Sequence, residues 1–224
     1  KNISANTQVH YYKVFHHCLN SAVIDEIITS NPMDKIKNEE KPKRRRTERA
    51  FLTIDELKIL SQTDFHNATL KKAFLFSCFC GLRHSDIVAL TWGNLKKGKV
   101  GKMELHMTQQ KTQEILSLPL SKEALKQLPV RGKVPDTEKV FKGLISLGRT
   151  NEILPKWAAK AGIQKHITFH SARHTHATMM ITLGAALYTV SKLLGHTNIQ
   201  TTQIYAKIVD ESKEKAIDLI PDIT

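Results

Sequence analysis

The sequence predicts a mainly α fold that carries one small antiparallel β-sheet. Apolar residues recur at helical spacing on both sides of the chain's middle, four of these runs stop at a glycine, and only between Lys99 and Leu120 does the rhythm switch to strict alternation. The 224 residues are 41% apolar with ten glycines and seven prolines, enough to bury a core and too rich in apolar groups for a disordered or fibrous chain.

Val9, Tyr12, Val14, Phe15, Leu19, Val23, Ile24 and Ile27 set a helical rhythm over residues 5–29 that Asn31-Pro32 ends. The stretch KIKNEEKPKRRRTER, Lys35 to Arg49, has no periodic apolar residues and reads as an exposed basic linker. Its block Lys41 to Arg46 suits a nuclear-localisation patch or a strap crossing a DNA backbone equally well. Thr53 and Glu56 then have the spacing of a capping box, opening a helix with Leu57 and Leu60 inward. Leu70 to Phe79 forms an apolar helix closed by Cys80-Gly81.

In the alternating stretch, Met103, Leu105 and Met107 interleave with Glu104, His106 and Thr108. Leu116, Leu118 and Leu120 follow a polar turn at Gln109 to Gln113, which makes a hairpin. Ser121 caps the return to helix. Further helices run from about Ile153 to Ala161, His170 to Leu183 and Leu187 to Leu194, ended by Gly162, Gly184 and Gly195. A last pair covers Thr201 to Val209 and about Glu211 to Ile220. Trp92 and Trp157 read as core residues.

Lys and Arg number 34 against 21 Asp and Glu, a formal charge of +13. Residues 1–49 hold ten of the bases and six of the acids, so +9 lies on residues 50–224 and is not the property of a tail. A basic globular domain favours polyanions, nucleic acid first. No window offers the roughly 18 to 20 unbroken apolar residues of a membrane span, and the N-terminal stretch has no signal-peptide core, so a cytoplasmic or nuclear setting without membrane contact is expected. Cys18, Cys78 and Cys80 read as buried thiols in a reducing compartment. A lone C-x-C lacks the four ligands of a structural zinc site.

Three blocks near the C-terminus carry chemistry: His170-Ser171-Ala172-Arg173-His174-Thr175-His176, Leu193-Leu194-Gly195-His196-Thr197, and Thr201-Thr202-Gln203-Ile204-Tyr205. Their polar groups fall at or near helix starts, whose free N–H groups attract anions. His170 and Arg173, three apart, share one helical face. A cation, two imidazoles and a phenol could thus converge on one phosphate. The pair His170 and His174 also has zinc-ligand spacing, but Ser171 stands where a zinc protease needs its Glu base.

These blocks strongly resemble the catalytic domain of tyrosine recombinases, the phage-integrase family. That signature reads H-x-x-R, then L-G-H, then T-T-x-x-Y, here His170 to Arg173, Leu194 to His196 and Thr201 to Tyr205. Gly81-Leu82-Arg83-His84-Ser85-Asp86 resembles the family's G-L-R-x-x-E/D box. Lys111, in the hairpin turn, matches its β-hairpin lysine. Ala172 and Asp86 depart from the commoner Leu and Glu without removing a catalytic group.

The resemblance implies the tyrosine recombinase catalytic-domain fold over residues 50–224, a remnant of a DNA-clamping core-binding domain over residues 1–36, and a linker over residues 37–49. It implies a site-specific recombinase that cuts and reseals double-stranded DNA through a 3′-phosphotyrosyl link, for integration and excision of a mobile element, with no cofactor and no metal. Tyr205 is then the nucleophile and His170 its base. Arg83, Arg173 and His196 stabilise the transition-state oxygens, and Lys111 protonates the leaving 5′-oxygen or only contacts phosphate, with Lys96, Lys97, Lys99 and Lys102 nearby in sequence. Asp86 is expected to brace Arg83, and His174 and Thr175 to orient. The tail with Ala216, Ile217, Leu219 and Ile220 implies packing on a neighbouring protomer, hence a homo-tetramer on DNA, with accessory DNA-bending proteins as possible partners. Two rivals share these features: a type IB topoisomerase-like enzyme and a non-catalytic DNA-binding regulator.

Overall fold

The computed structural model describes residues 3–45, 49–98 and 101–205. The chain divides into two compact units, Lys1–Glu48 and Arg49–Thr224. In the first, Ser4 caps helix α1 (Ala5–Ile24) by accepting from Thr7 N, and a 3-10 turn at Pro32–Lys35 follows. Asn31 closes this return, donating to His16 O and to Asn20 Oδ1 and accepting from Met33 N. The basic stretch is tied to the head of α1, where Asn6 Oδ1 accepts from Arg45 N and Asn6 Nδ2 donates to Arg45 O, both at 3.0 Å. No residue of α1 is buried, and Cys18 on it is exposed. That corrects the expectation of three buried thiols: a helix with no inward side cannot hide one.

The second unit is mainly helical with one small sheet, as the sequence predicts. Its helices are α2 (Ile54–Gln62), α3 (Ala68–Cys80), α4 (His84–Ala89), α5 (Lys122–Lys126), α6 (Leu147–Lys160), α7 (Phe169–Thr182) and α8 (Leu187–Leu193). Between α4 and α5 lies the antiparallel sheet of β1 (Leu95–Lys97), β2 (Met103–Thr108) and β3 (Ile115–Pro119), in that order. Leu105 faces Leu118 and Met107 faces Leu116 in register, and these four form the buried side. The alternation that predicts β2 and β3 is this burial pattern. β1 escaped the sequence reading because its three residues, Leu95-Lys96-Lys97, are too few to show a period.

α3 is the centre. Leu70, Ala73, Phe74, Leu75, Phe76, Ser77, Cys78 and Cys80 are all buried, so the helix is enclosed on every side. It packs chiefly on α7 and α5. Phe74 meets Trp157 of α6 and Phe169 of α7 edge-on, with centroids 6.0 and 5.9 Å away. Both tryptophans are buried. α6 begins at Leu147, well before the expected Ile153, because Ser146 caps it and Pro155 is tolerated inside. The residues after α8 form 3-10 turns at Ile199–Thr201 and Gln203–Tyr205 where a helix was expected to begin. The expected final helix and apolar tail lie outside the described residues. No described helix is long and apolar enough to cross a membrane.

Thr53 and Glu56 form the predicted capping box on α2: Thr53 Oγ1 accepts from Glu56 N at 3.2 Å and Glu56 Oε2 accepts from Thr53 N at 2.8 Å. Glu56 also takes a hydrogen bond from Lys165 Nζ, which donates to Phe51 O as well, so the cap ties the start of the unit to the approach to α7. Thr53→Ala is expected to lower unfolding stability by about 1 kcal/mol in urea titration.

Candidate active site

Four stretches of sequence meet at the first turns of α7. Arg173 is the joint. It is 3% exposed, and its guanidinium donates from Nη1 to Gly81 O at 2.8 Å and from Nη2 to Leu194 O at 2.7 Å. The turn after α3 and the end of α8 are thereby fixed to α7. Gly81 has φ +73°, and a Cβ there would lie 2.8 Å from Leu194 Cδ2 and 2.9 Å from His176 Cδ2, so both the conformation and the close approach require glycine.

Arg83 follows two residues later as the N-cap of α4. Its Nη1 is buried and finds no hydrogen-bond partner among the described residues; Asp86 Oδ2 lies 3.9 Å away. A buried guanidinium N–H without a partner is a ready donor for an anion. Asp86, fully buried, hydrogen-bonds this arginine through its backbone, not through the guanidinium it was expected to brace: Oδ2 accepts from Arg83 N at 3.2 Å. Its Oδ1 accepts from Gln110 N at 2.8 Å, which anchors the hairpin turn beside exposed Lys111. Gln109 holds the turn from the other side: its Nε2 donates to Leu194 O at 3.2 Å, and its Oε1 accepts from Thr112 Oγ1 at 2.9 Å. Nothing in the sequence singled out Gln109, whose polar neighbours gave it no pattern.

His196 does not begin a helix, contrary to the sequence reading; it follows α8 after Gly195, which has φ +62°. A Cβ on Gly195 would lie 2.8 Å from the Gln109 side chain. His196 Nδ1 and Thr202 Oγ1 share a hydrogen bond of 2.8 Å, which draws the segment leading to Tyr205 against this turn. Tyr205 is 7% exposed and its hydroxyl shares a hydrogen bond with Nδ1 of His174, not with His170. His174 is buried and stands edge-on to exposed His170, centroids 4.6 Å apart. Thr175 Oγ1 accepts from Leu52 N at 2.9 Å, pinning the segment that follows Arg49.

The groups feel one another. Desolvation, followed by the charges of Arg173, Arg49, Arg83 and Lys111, holds His170 down at about 4. Desolvation and the charges of Arg173, Arg83, His170 and Arg49 hold His196 at about 4. Burial first, with His170 and Arg49 adding, pushes His174 to about 3, and burial raises the Tyr205 phenol to about 12 against the pull of Arg173 and Arg49. Burial and the neighbouring Arg83 lower even Arg173, to about 10. All six residues singled out in the sequence, Arg83, Lys111, His170, Arg173, His196 and Tyr205, are thus gathered in one neighbourhood. Arg49 joins them, although the sequence reading left it at the end of a linker. Among the described residues, no three His, Cys, Asp or Glu side chains are grouped to hold a metal ion.

Two outcomes follow. Arg173→Lys, which cannot bridge two carbonyls with a planar fork, is expected to lower stability by about 3 kcal/mol in denaturant titration. His174 and His176 are both buried and neutral in the fold, His176 also held at about 4 mainly by burial, whereas the unfolded chain protonates them near 6.5. Between those values the unfolded chain binds more protons, so stability falls as pH drops below 6.5. Thermal midpoints should decline steadily from about pH 6.5 to 5; a flat or rising profile would contradict this account.

The model of the phage integrase family matches residues 50–212. A tyrosine recombinase of Pseudothermotoga lettingae is 30% identical over 199 residues, covering 87% of this chain and 68% of that protein. One of Thermosipho africanus is 28% identical over 220 residues, covering 92% and 73%. Among solved structures, the Tn1549 transposon integrase in complex with circular intermediate DNA is 18% identical with a TM-score of 0.69, covering 91% of this chain and 75% of that one. A lambda integrase dimer bound to a COC′ core site is 19% identical with a TM-score of 0.70, covering 90% and 73%. The folded unit is therefore a tyrosine recombinase catalytic domain, and the chain belongs to the phage integrase family.

Proposed function

We propose that the chain is the strand-cleaving part of a site-specific recombinase acting on double-stranded DNA. One observation carries the reading: cations and imidazoles from distant stretches gather beside a tyrosine, and the buried Arg83 Nη1 among them has no hydrogen-bond partner among the described residues. Such a cluster fits a phosphodiester, and a phenol beside it fits covalent catalysis. Further support comes from the relatives described as tyrosine recombinases and from the Tn1549 and lambda integrases solved with DNA.

In this mechanism Tyr205 Oη attacks the scissile phosphorus; the Oη–P bond forms as the P–O5′ bond breaks. The phenol's proton passes to His170, whose exposed ring meets the incoming strand, and Lys111 gives a proton to the leaving 5′-oxygen. Arg83, Arg173 through its remaining N–H groups, and His196 hold the non-bridging oxygens, where negative charge grows. The phosphotyrosyl bond conserves the energy needed to reseal the strand, so no metal or nucleotide is called for. The bound phosphate also favours protonated imidazole, offsetting the cations that depress it in the free protein.

Residues 1–36 fit the end of a DNA-clamping domain, and residues 37–49 its basic link to the catalytic part. The working unit proposed is a homo-tetramer assembled on DNA in the cytoplasm, with accessory DNA-bending proteins, and the biological task is integration and excision of a mobile element.

The test uses a pool of nicked duplexes with randomised arms, in which loss of a short 5′-hydroxyl fragment traps the adduct. Wild type should yield a covalent protein–DNA band through a 3′-phosphate, and Tyr205→Phe should bind DNA but give no band. Equal bands from both would refute Tyr205 as nucleophile. Absence of a band from wild type on every duplex would favour a non-catalytic regulator. Strand exchange between two selected sites on one plasmid separates a recombinase from a topoisomerase-like enzyme.

A further inference from the structure

His174 lies outside the six residues to which the proposed chemistry assigns a step, yet its imidazole is the described group in hydrogen-bond contact with the nucleophile. Nδ1 lies 2.5 Å from Tyr205 Oη, and both side chains are buried. The imidazole cannot swing away freely. It is one residue after Arg173, whose guanidinium is fixed to two carbonyls, and one before Thr175, whose hydroxyl holds Leu52 N. The edge of one ring against the face of the other fixes its orientation relative to His170. Tyr205 itself is carried by a short 3-10 turn, anchored by the Thr202–His196 hydrogen bond. Of the two partners, the imidazole is the better held and so dictates where the phenol goes.

A phenol has one proton and two oxygen lone pairs, and its attack on phosphorus needs a lone pair, not the proton, aimed at the phosphate. We propose that His174 is a positioning residue for the nucleophile: before attack its unprotonated Nδ1 accepts the phenol O–H and so fixes where Oη stands beside the phosphate that Arg83, Arg173 and His196 hold, and the O–H turns from His174 to the base His170 as the strand binds. The neutral state needed for acceptance agrees with the low value burial imposes on this ring. This inference rests on Tyr205 being the nucleophile, and its tests keep the two ideas apart.

The first test needs no DNA. The ¹⁵N resonance of His174 Nδ1 in the free protein should have the position of a hydrogen-bonded acceptor and move toward that of an unbonded acceptor in Tyr205→Phe. An unchanged resonance overturns the proposal whatever the enzyme does. The second is single-turnover cleavage of a nicked duplex selected from the randomised pool. His174→Ala should slow adduct formation about 10²-fold, the usual effect of misplacing a reacting group, with DNA affinity unchanged. His174→Asn places an amide oxygen where Nδ1 stood and should recover cleavage to within about tenfold of wild type. Two results sink the idea: His174→Ala at the wild-type rate, or Asn and Ala equally slow, which would make the residue a packing element only. Wild type without an adduct sinks instead the assignment of Tyr205.

Discussion

The site depends on one buried charge. Arg173 is nearly removed from water, and a lone guanidinium in that position would be far too unfavourable to keep. It is tolerated because two main-chain carbonyls, Gly81 O and Leu194 O, accept from it. These carbonyls belong to segments 92 and 21 residues away in sequence. Neither carbonyl is used by a helix or strand ladder there: Gly81 sits in a left-handed turn after α3, and Leu194 follows the last residue of α8. Each partner thus solves the other's problem. The arginine satisfies helix-end carbonyls, and the carbonyls satisfy the arginine.

The same joint decides where the other groups stand. Once Gly81 O is held, Arg83 two residues on is delivered to the head of α4, where Asp86 secures its backbone and then reaches Gln110 N in the hairpin turn. Once Leu194 O is held, with Gln109 adding a second donor, Gly195 turns the chain and presents His196. A methyl at either glycine would be strained, because both have positive φ and the side chains of Leu194 and His176 at Gly81, and of Gln109 at Gly195, lie within 3 Å of where it would stand. Catalytic geometry of this kind is set by backbone hydrogen bonds from three or four elements and not by the side chains' own rotamers. A site built so is rigid at Arg83 and Arg173 and adjustable at Lys111, on an exposed turn.

Local chemistry made most of the elements legible. The Thr53–Glu56 box, the alternation in β2 and β3, and the glycine after α3 all act within a few residues, so their signals survive in the linear order. The candidate residues were found through the family resemblance, Lys111 by its place in the hairpin turn and the others by short motifs. What escaped was long-range. Gln109 and Arg49 acquire their places only when distant segments pack together. The bond between His174 and Tyr205 spans 31 residues across α8 and two turns, and no local pattern marks it. The expected helix at Thr201 failed for a related reason: His196 competes for the Thr202 hydroxyl, and the tertiary anchor wins over a weak propensity in so short a segment.

The electrostatic state of the site also bears on the anionic substrate proposed for it. Among the described residues the carboxylate beside these arginine charges is Asp86, whose Oδ2 lies 3.9 Å from Arg83 Nη1 while its two oxygens accept from two backbone N–H groups. The imidazoles answer by staying neutral, which limits the repulsion to the guanidiniums and Lys111. A neutral ligand would relieve nothing. A phosphodiester brings one negative charge and oxygens spaced for guanidinium forks, so it would gain both the Coulomb energy and the hydrogen bond that Arg83 Nη1 lacks among the described residues. The unfavourable charge density of the site is therefore the same quantity that would draw in the phosphate of the proposed reaction, where bond breaking adds further negative charge.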